Sequence, residues 1–246
     1  MHLNNLPFNV IKQLPSGVSG DTFLATHQHF RNSFTNNPTK CILKCFKPAW
    51  SVPAAYREFY MLQQVASLNK PKFFPIPLKI YRQNSRLFLL QHYIDGEMAP
   101  TLHKHIMTTN NLSGLKRYIK NILKLTDLCN SKFITHLDIK PPNIITNNLD
   151  NTLAFVDFGS ARSISHPDPR KLIYIDQPIG TYHYAAPEIF HGEYNITSDI
   201  YSIGKILQSF DMDICPDGNA LLNKMLQNNP RLRPYAAQLL KDPWFS

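Results

Sequence analysis

The first part of the chain alternates short apolar stretches with polar turns, a pattern that predicts β-strands. Four stretches rich in β-branched and aromatic residues are separated by Gly, Asn and Pro, and we expect strands at residues 10–14, 23–29, 41–46 and 87–91. Residues 32–39 form a polar turn between two of them. Pro53 suits the first turn of a helix. The apolar face of that helix consists of Tyr56, Phe59, Tyr60, Leu62 and Val65.

Beyond Gly96 the apolar positions recur every three or four residues, which is the period of helices. The pattern is clearest from Leu115 to Cys129 and predicts a buried helix there. Further helices are expected at residues 196–210, 221–226 and 235–241. The change of period near residues 91–94 predicts an α+β chain with a small β-rich lobe, a hinge and a larger helical lobe.

The composition of the chain limits the cellular compartments in which we expect it. The chain has 246 residues, of which 43% are hydrophobic, as in ordinary globular proteins. Its apolar runs are far too short to span a bilayer, and no basic region followed by an apolar core opens the sequence. Four cysteines are too few for a disulfide scaffold. We therefore expect the cytoplasm or nucleus, without a membrane partner.

The net charge of +9 favours acidic partners such as nucleotides and acidic peptides. An ordinary solvated surface with a few phosphate-binding lysines would account for this net charge equally well. No run of five basic residues occurs, which argues against a dedicated nucleic-acid module.

Two short stretches carry the chemistry. His136 to Asn143 supplies an aspartate, a lysine and an asparagine, and Asp157-Phe158-Gly159 supplies a second aspartate. Mg²⁺ prefers oxygen ligands, which Asn143 and Asp157 offer. A second carboxylate can accept the proton of an attacking hydroxyl, and a lysine can neutralise a moving phosphoryl group. The combination predicts phosphoryl transfer from a metal–nucleotide complex.

Other motifs stand around these stretches in a recognisable order, and from about residue 8 to 245 the chain resembles a eukaryotic-type protein kinase. The motifs are a degenerate glycine-rich loop at 16–20, Lys44 in Cys41-Ile42-Leu43-Lys44, Glu58 in Tyr56-Arg57-Glu58-Phe59, the two stretches above, Gly180-Thr181, Ala186-Pro187-Glu188, Asp199 to Gly204, and Arg231-Leu232-Arg233-Pro234. The resemblance implies a bilobal fold in a single domain, 1–246. Its N-lobe would span about 1–91, its hinge about 92–96 and its C-lobe about 97–246. It also implies a monomer that uses ATP and Mg²⁺.

The resemblance assigns roles around the transferred group. Asp138 would be the catalytic base, and Lys140 would stabilise the transferred phosphoryl group. Asn143 and Asp157 would bind the metal and the nucleotide. The alternative is that these residues have no catalytic role and are polar turn residues in two loops.

The resemblance also assigns the nucleotide contacts. Lys44, paired with Glu58, would align the α- and β-phosphates, and Gly17 and Gly20 would let the backbone approach them. In the hinge, Gln91 would lie at the back of the adenine pocket, and the backbone of His92 and Ile94 would contact the adenine edge.

Three positions depart from the family around the nucleotide. Pro15 replaces the first glycine, Thr22 replaces a valine, and Ile42 replaces a small alanine. These changes crowd the roof of the pocket and bear on ATP affinity rather than on the chemistry.

Leu137 is the departure that concerns regulation. The family usually has an arginine there, which receives a phosphate on the activation segment, residues 157–188. A leucine cannot bind a phosphate, so we expect activity without phosphorylation of this segment.

The resemblance also bears on which protein substrates the chain would act on. Lys140 and Thr181 are typical of kinases that act on serine and threonine of proteins. Pro142 replaces an acidic residue, and with Arg170 and Lys171 nearby this favours acidic substrates.

Buried polar groups are expected to be structural. Asp199 would bind the backbone of the catalytic loop, and Glu188 would pair with Arg233. His136, Phe158 and Leu62 would form an internal apolar column.

A short C-lobe leaves a rival interpretation open. Only about ten residues, 211–220, separate the Asp199 helix from the closing helices, which favours a trimmed kinase of viral or parasite origin acting in a host cell. The rival is a catalytically dead kinase-fold protein that sequesters a host kinase, a substrate or a regulator. A small-molecule phosphotransferase is disfavoured by Gly180-Thr181 and Ala186-Pro187-Glu188.

Overall fold

The structure is a computed structural model that describes residues 8–15, 17, 20–31, 38–47, 51–83, 85–147, 150–166, 168–175 and 179–246. Its strands are β1 Phe8–Gln13, β2 Gly20–Arg31, β3 Pro38–Phe46, β4 Pro77–Gln83, β5 Arg86–His92, β6 Glu97–Met98, β7 Ile134–Thr135, β8 Ile144–Thr146, β9 Leu153–Phe155, β10 Arg162–Ser163, β11 Ile173–Tyr174 and β12 Glu193–Tyr194. Its α-helices are α1 Ser51–Ala66, α2 Ala99–Thr109, α3 Leu112–Asn130, α4 Ser198–Gln208, α5 Cys215–Met225 and α6 Ala236–Leu239.

The first lobe is an antiparallel sheet of five strands in the order β1-β2-β3-β5-β4. One face buries a small cluster that includes Phe23, Leu43 and Leu90. The other face packs on α1, whose Leu62 and Val65 belong to the main core. The α+β class is therefore confirmed. The sequence pattern did not reveal β4 of this sheet, nor the short strands β6 to β12.

Helix α3 is the centre of the second lobe. Its buried residues are Gly114, Leu115, Tyr118, Ile119, Ile122, Leu123, Leu125, Thr126 and Cys129. Asn111 caps its start, because the side chain accepts a hydrogen bond from the Gly114 N–H at 2.8 Å. Within the described residues no helix is long and apolar enough to cross a membrane.

Two predictions about the helices need correction. Helix α2 was not foreseen. The interval 211–220 is not a bare connection, since α5 begins at Cys215 and takes in the short helix expected at 221–226. Pro216 stands in its first turn and suits a helix start, a signal that the apolar period alone missed. In the polar turn expected at 32–39, residues 32–37 lie outside the described residues.

Buried charges join the distant parts of the second lobe. Asp199 is fully buried at the start of α4, and its carboxylate accepts hydrogen bonds from the N–H groups of His136 (2.6 Å) and Leu137 (2.8 Å). Burial raises the pKa of Asp199, while the two N–H donors favour its charged form. Arg233 holds Glu188 through two hydrogen bonds of 2.6 and 2.7 Å. Both predicted structural contacts are confirmed.

Replacing Arg233 by Met should lower the free energy of unfolding by about 3–5 kcal/mol, because it leaves the buried Glu188 carboxylate without its cation. Urea denaturation measures this change. The control is Lys224→Met, which breaks the more exposed Lys224–Asp242 pair and should cost less than about 1 kcal/mol. Equal losses in the two variants would contradict the structural role of the buried pair.

Candidate active site

The loop between β7 and β8 carries the central carboxylate. The Asp199 carboxylate fixes the start of this loop, and Leu137 adopts a left-handed φ of 62°. The tight turn Pro141–Asn143 closes it before β8. Asp138 thus projects from a loop that is fixed at both ends.

Three side chains surround the Asp138 carboxylate. Thr181 Oγ1 donates to Oδ1 at 2.7 Å, and Asn143 Nδ2 donates to Oδ2 at 2.9 Å. Lys140 Nζ lies 2.9 Å from Oδ2 and also donates to Thr181 Oγ1 at 2.6 Å. Thr181 therefore touches both the aspartate and the lysine. The link from Asn143 to Asp138 was not foreseen, because the resemblance gave Asn143 only a role in binding the metal and the nucleotide.

Lys44 lies between two carboxylates from different elements. Its Nζ is 2.7 Å from Glu58 Oε2 on α1 and 2.7 Å from Asp157 Oδ1 after β9. The predicted pair with Glu58 is present. The contact with Asp157, 113 positions away, was not predicted, because only the fold brings these residues together.

The charges of this group depend on one another. Burial alone would lower the pKa of Lys44, but Asp157 and Glu58 outweigh it and raise it. Burial raises the pKa of Glu58 in spite of Lys44. Burial would likewise raise the pKa of Asp157, yet the ammonium dominates and lowers it to about 2. Because the Asp157 side chain is 39% exposed, water screens part of this attraction. Asp157 is therefore ionised at neutral pH.

Packing fixes Asp157 and its neighbours. Asp157 has a left-handed φ of 61°, and its Oδ1 accepts from the Gly159 N–H at 3.4 Å. A Cβ at Gly159 would lie only 3.2 Å from Glu58 Oε2, so a side chain there would crowd the ion pairs. The Phe158 ring lies 4.7 Å from the His136 ring in the main core, which also contains Leu62. The expected apolar column is present.

The donor set fits a hard cation. Asn143 Nδ2 donates to the Asp138 carbonyl and carboxylate, so its amide oxygen is the atom left for a metal. Asp157 Oδ1 faces Lys44, which leaves Oδ2 for the same purpose. One carboxylate and one amide suit Mg²⁺, which binds few protein ligands and keeps waters or phosphates as the others.

The glycine-rich loop is described only in part, since residues 16, 18 and 19 lie outside the described residues. A Cβ built on Gly17 would lie 4.0 Å from Asp157 Oδ2, so the loop backbone comes over this carboxylate. At Gly20 a Cβ would lie 2.2 Å from the Cys45 carbonyl oxygen. Close pairing of β2 with β3 thus gives a packing reason for the glycine at position 20, and the approach of its backbone to phosphate stays a prediction.

The hinge region provides one constraint on nucleotide contacts. The His92 N–H already donates to the Ile76 carbonyl at 2.9 Å, so only its carbonyl remains for an adenine. Gln91 is buried, and its Oε1 has no partner among the described residues. The adenine contacts of His92 and Ile94 stay predictions.

Apolar contacts hold the activation segment against Leu137. This side chain is 4% exposed and belongs to a buried cluster with Ile164, Ile175, Ala185, Ala186, Ile189, Tyr194 and Ile196. Arg170 is engaged elsewhere. Its guanidinium lies 4.3 Å from the centre of the Tyr235 ring and donates to the Arg231 carbonyl.

The comparison with known proteins agrees with this geometry. The family model described as protein kinase domain matches residues 8–216. The chain belongs to the protein kinase family. Its β-rich first lobe and helical second lobe are the bilobal fold expected of that family.

Relatives of this kinase are found among serine/threonine kinases. It is 28% identical to the serine/threonine-protein kinase PknA of Nostoc sp. over 80% of its length, and 26% identical to the serine/threonine-protein kinase C of Synechocystis sp. over 83%. It is 27% identical to the CBL-interacting serine/threonine-protein kinase 8 of Arabidopsis thaliana over 75%.

The chain spans only 35%, 38% and 47% of these three proteins. Their organisms lend no support to the viral origin suggested by the short C-lobe.

Replacing Lys44 by Met should destabilise the fold in a pH-dependent way. Without the ammonium, the pKa of the buried Glu58 rises further above its value of about 4.3 in the unfolded chain. Above that pH the unfolded chain has released a proton that the folded chain still binds, so stability falls as pH rises towards the folded pKa. The stability lost relative to the parent should be larger at pH 8 than at pH 5, as measured by urea denaturation.

The control for Lys44→Met is the double variant Lys44→Met with Glu58→Gln, which lacks the buried Glu58 carboxyl group and keeps Asp157. It should recover part of the lost stability at pH 8 and lose less stability between pH 5 and pH 8 than the single variant does. If the single variant is as stable as the parent at pH 8, the ion pair contributes nothing to the fold.

Proposed function

We propose that this chain is an active serine/threonine protein kinase that transfers the γ-phosphoryl group of ATP, with Mg²⁺, to hydroxyl groups of proteins. One observation carries the proposal: Asp138, Asn143, Lys140 and Thr181 form one hydrogen-bonded network. Asp157, which pairs with Lys44, directly follows Val156, whose N–H donates to the Asn143 carbonyl at 3.0 Å. Bound Mg²⁺ would neutralise charge that develops on the phosphates.

The residues of the chain have distinct tasks in this proposal. Asp138 accepts the proton of the substrate hydroxyl, and Thr181 and Asn143 fix the orientation of its carboxylate. Lys140 supplies positive charge beside the same group. Asn143 and Asp157 hold the metal, and Lys44 holds the α- and β-phosphates. His92 contributes its carbonyl and Ile94 its N–H to the adenine, and Gly17 lies over the phosphates.

Regulation follows from the apolar cluster around Leu137. In the proposed kinase, buried leucine and isoleucine side chains fix the activation segment where a phosphate–arginine contact would otherwise do so. Arg170 does not replace the missing cation, because it is stacked on Tyr235. The described part of the segment is therefore held in place without phosphorylation in this proposal.

The proposal also covers the substrate preference, the domain extent, the oligomeric state and the cellular compartment. A preference for acidic substrates now depends on Pro142 and the exposed Lys171, since Arg170 is engaged. We propose one domain over 1–246, with lobes that meet at residues 92–96. We further propose a monomer that acts in the cytoplasm or nucleus.

Asp157→Asn should abolish transfer while it preserves the fold. An amide binds Mg²⁺ without charge, which should reduce turnover by ~10³-fold, or about 4 kcal/mol in the barrier. Transfer from labelled ATP to a panel of acidic and basic proteins measures it, with Asp150→Asn on an exposed turn as the matched control. Turnover of Asp157→Asn within threefold of the parent would refute the assignment.

The variant Asp138→Ala distinguishes the role of Asp138 from that of Asp157. It should lose transfer and keep nucleotide binding, because this carboxylate meets the hydroxyl and not the nucleotide. A nucleotide titration with Mg²⁺ checks this. The same titration tests the rival interpretation, a non-catalytic binding protein. If the parent neither binds nucleotide nor transfers phosphate, the chain is the non-catalytic binding protein instead.

Activity should survive removal of phosphate from the activation segment. Treatment with a phosphatase, or replacement of Ser160, Ser163 and Ser165 together by Ala, should change turnover on a peptide by less than about fivefold, under roughly 1 kcal/mol. The role given to Leu137 fails if phosphatase silences the enzyme and autophosphorylation restores it.

A further inference from the structure

A second pocket lies outside the candidate active site. It has a volume of about 380 Å³ and is enclosed by the turn after α1, the middle of α3, the turn before β9 and the end of α6. None of its lining residues belongs to the network around Asp138 or Lys44. Its size is at the lower end of the range of ligand sites.

Backbone hydrogen bonds and the main core hold part of the wall of this pocket. Phe73 is fixed twice, because its N–H donates to the Lys70 carbonyl at 3.0 Å and its carbonyl accepts from the Phe155 N–H at 3.0 Å. Leu125 and Leu153 are buried members of the main core. A ligand would therefore meet a preformed site and would not have to order a loop.

The chemistry of the lining is amphipathic and basic. The apolar floor includes Phe73, Leu125 and Leu128, while the exposed Lys70 and Lys124 stand at the rim. In the described part of the chain neither lysine forms an ion pair, although the Lys70 ammonium lies 6.0 Å from the centre of the Phe73 ring. Asp127 is the carboxylate of the lining, so the two lysines leave an excess of positive charge.

We propose that this pocket binds an acidic segment of a protein partner. An apolar side chain of the partner would enter between Phe73 and Leu128, and its carboxylates would meet Lys70 and Lys124. Charge complementarity favours this occupant, because the chain as a whole carries +9. The concave apolar floor does not suit a nucleic acid, which binds along extended basic grooves with stacked bases. This proposal does not depend on catalysis.

A labelled peptide tests the proposal with the full chain. The probe is a fluorescein-labelled hexapeptide with a leucine–phenylalanine centre between two pairs of glutamates, titrated by fluorescence anisotropy. Saturable binding is expected below about 1 mM. The double variant Lys70→Glu with Lys124→Glu should weaken it at least tenfold, equivalent to about 1.4 kcal/mol. A peptide with serines in place of leucine and phenylalanine should not bind.

The control makes the same change of net charge elsewhere. Lys12→Glu with Lys104→Glu alters two exposed lysines outside the pocket and should change affinity less than threefold. Circular dichroism establishes that both double variants fold. The proposal is overturned if binding is absent, if both variants lose affinity equally, if the serine peptide binds as well, or if a single-stranded oligonucleotide binds the same pocket more tightly than the peptide.

Discussion

The ammonium of Lys44 is the point on which the geometry of the site depends. It contacts a carboxylate of α1 and a carboxylate that follows β9, and it is itself part of β3. These elements are far apart in sequence, and a single buried cation fixes their relative positions. Lys44 and Glu58 are buried, and burying charges is expensive, so each must lie close to an opposite charge. The position of Asp157, which the metal would require, is thus set by the same contact that orients α1.

A second buried set of charges performs a similar task in the helical lobe. Asp199 holds the backbone before Asp138, and Arg233 holds Glu188 at the end of the activation segment. In sequence, Thr181 lies between the two segments that these contacts hold, the loop before Asp138 and Glu188, and its hydroxyl donates to Asp138. The carboxylate of Asp138 is therefore oriented by contacts whose own supports are buried. This is the arrangement that precise positioning of a reacting group requires.

The sequence predicted four of the five strands of the first sheet and, at least in part, every α-helix except α2. It predicted the contact of Lys44 with Glu58 but not those of Asp157 with Lys44 and of Asn143 with Asp138. Strong periodicity identified α3, and the motif spacing identified Asp138, Asn143 and Asp157. Periodicity did not reveal β4, in which Lys79 and Arg82 interrupt the apolar pattern.

Contacts between distant residues were the harder part. The pair of Lys44 with Asp157 and the stacking of Arg170 on Tyr235 depend on how separate elements meet, which no local pattern encodes. The close approach of the Cys45 carbonyl to Gly20 also depends on how β2 meets β3, so the sequence did not reveal this second reason for a glycine at position 20.

The cost of the buried charges also bears on the choice between enzyme and binding protein. A buried ion pair can often be replaced by apolar residues of similar size with no loss of stability, or even with a gain. A protein that only sequesters a partner has no need of a buried lysine between two carboxylates. The activation segment shows the contrast, because there an apolar cluster around Leu137 replaces the charged contact usual in the family. Around Leu137 this chain orders its backbone with apolar packing, whereas beside the proposed phosphate and metal ligands it keeps the buried Lys44–Glu58 pair, and this favours the proposed enzyme over the binding protein.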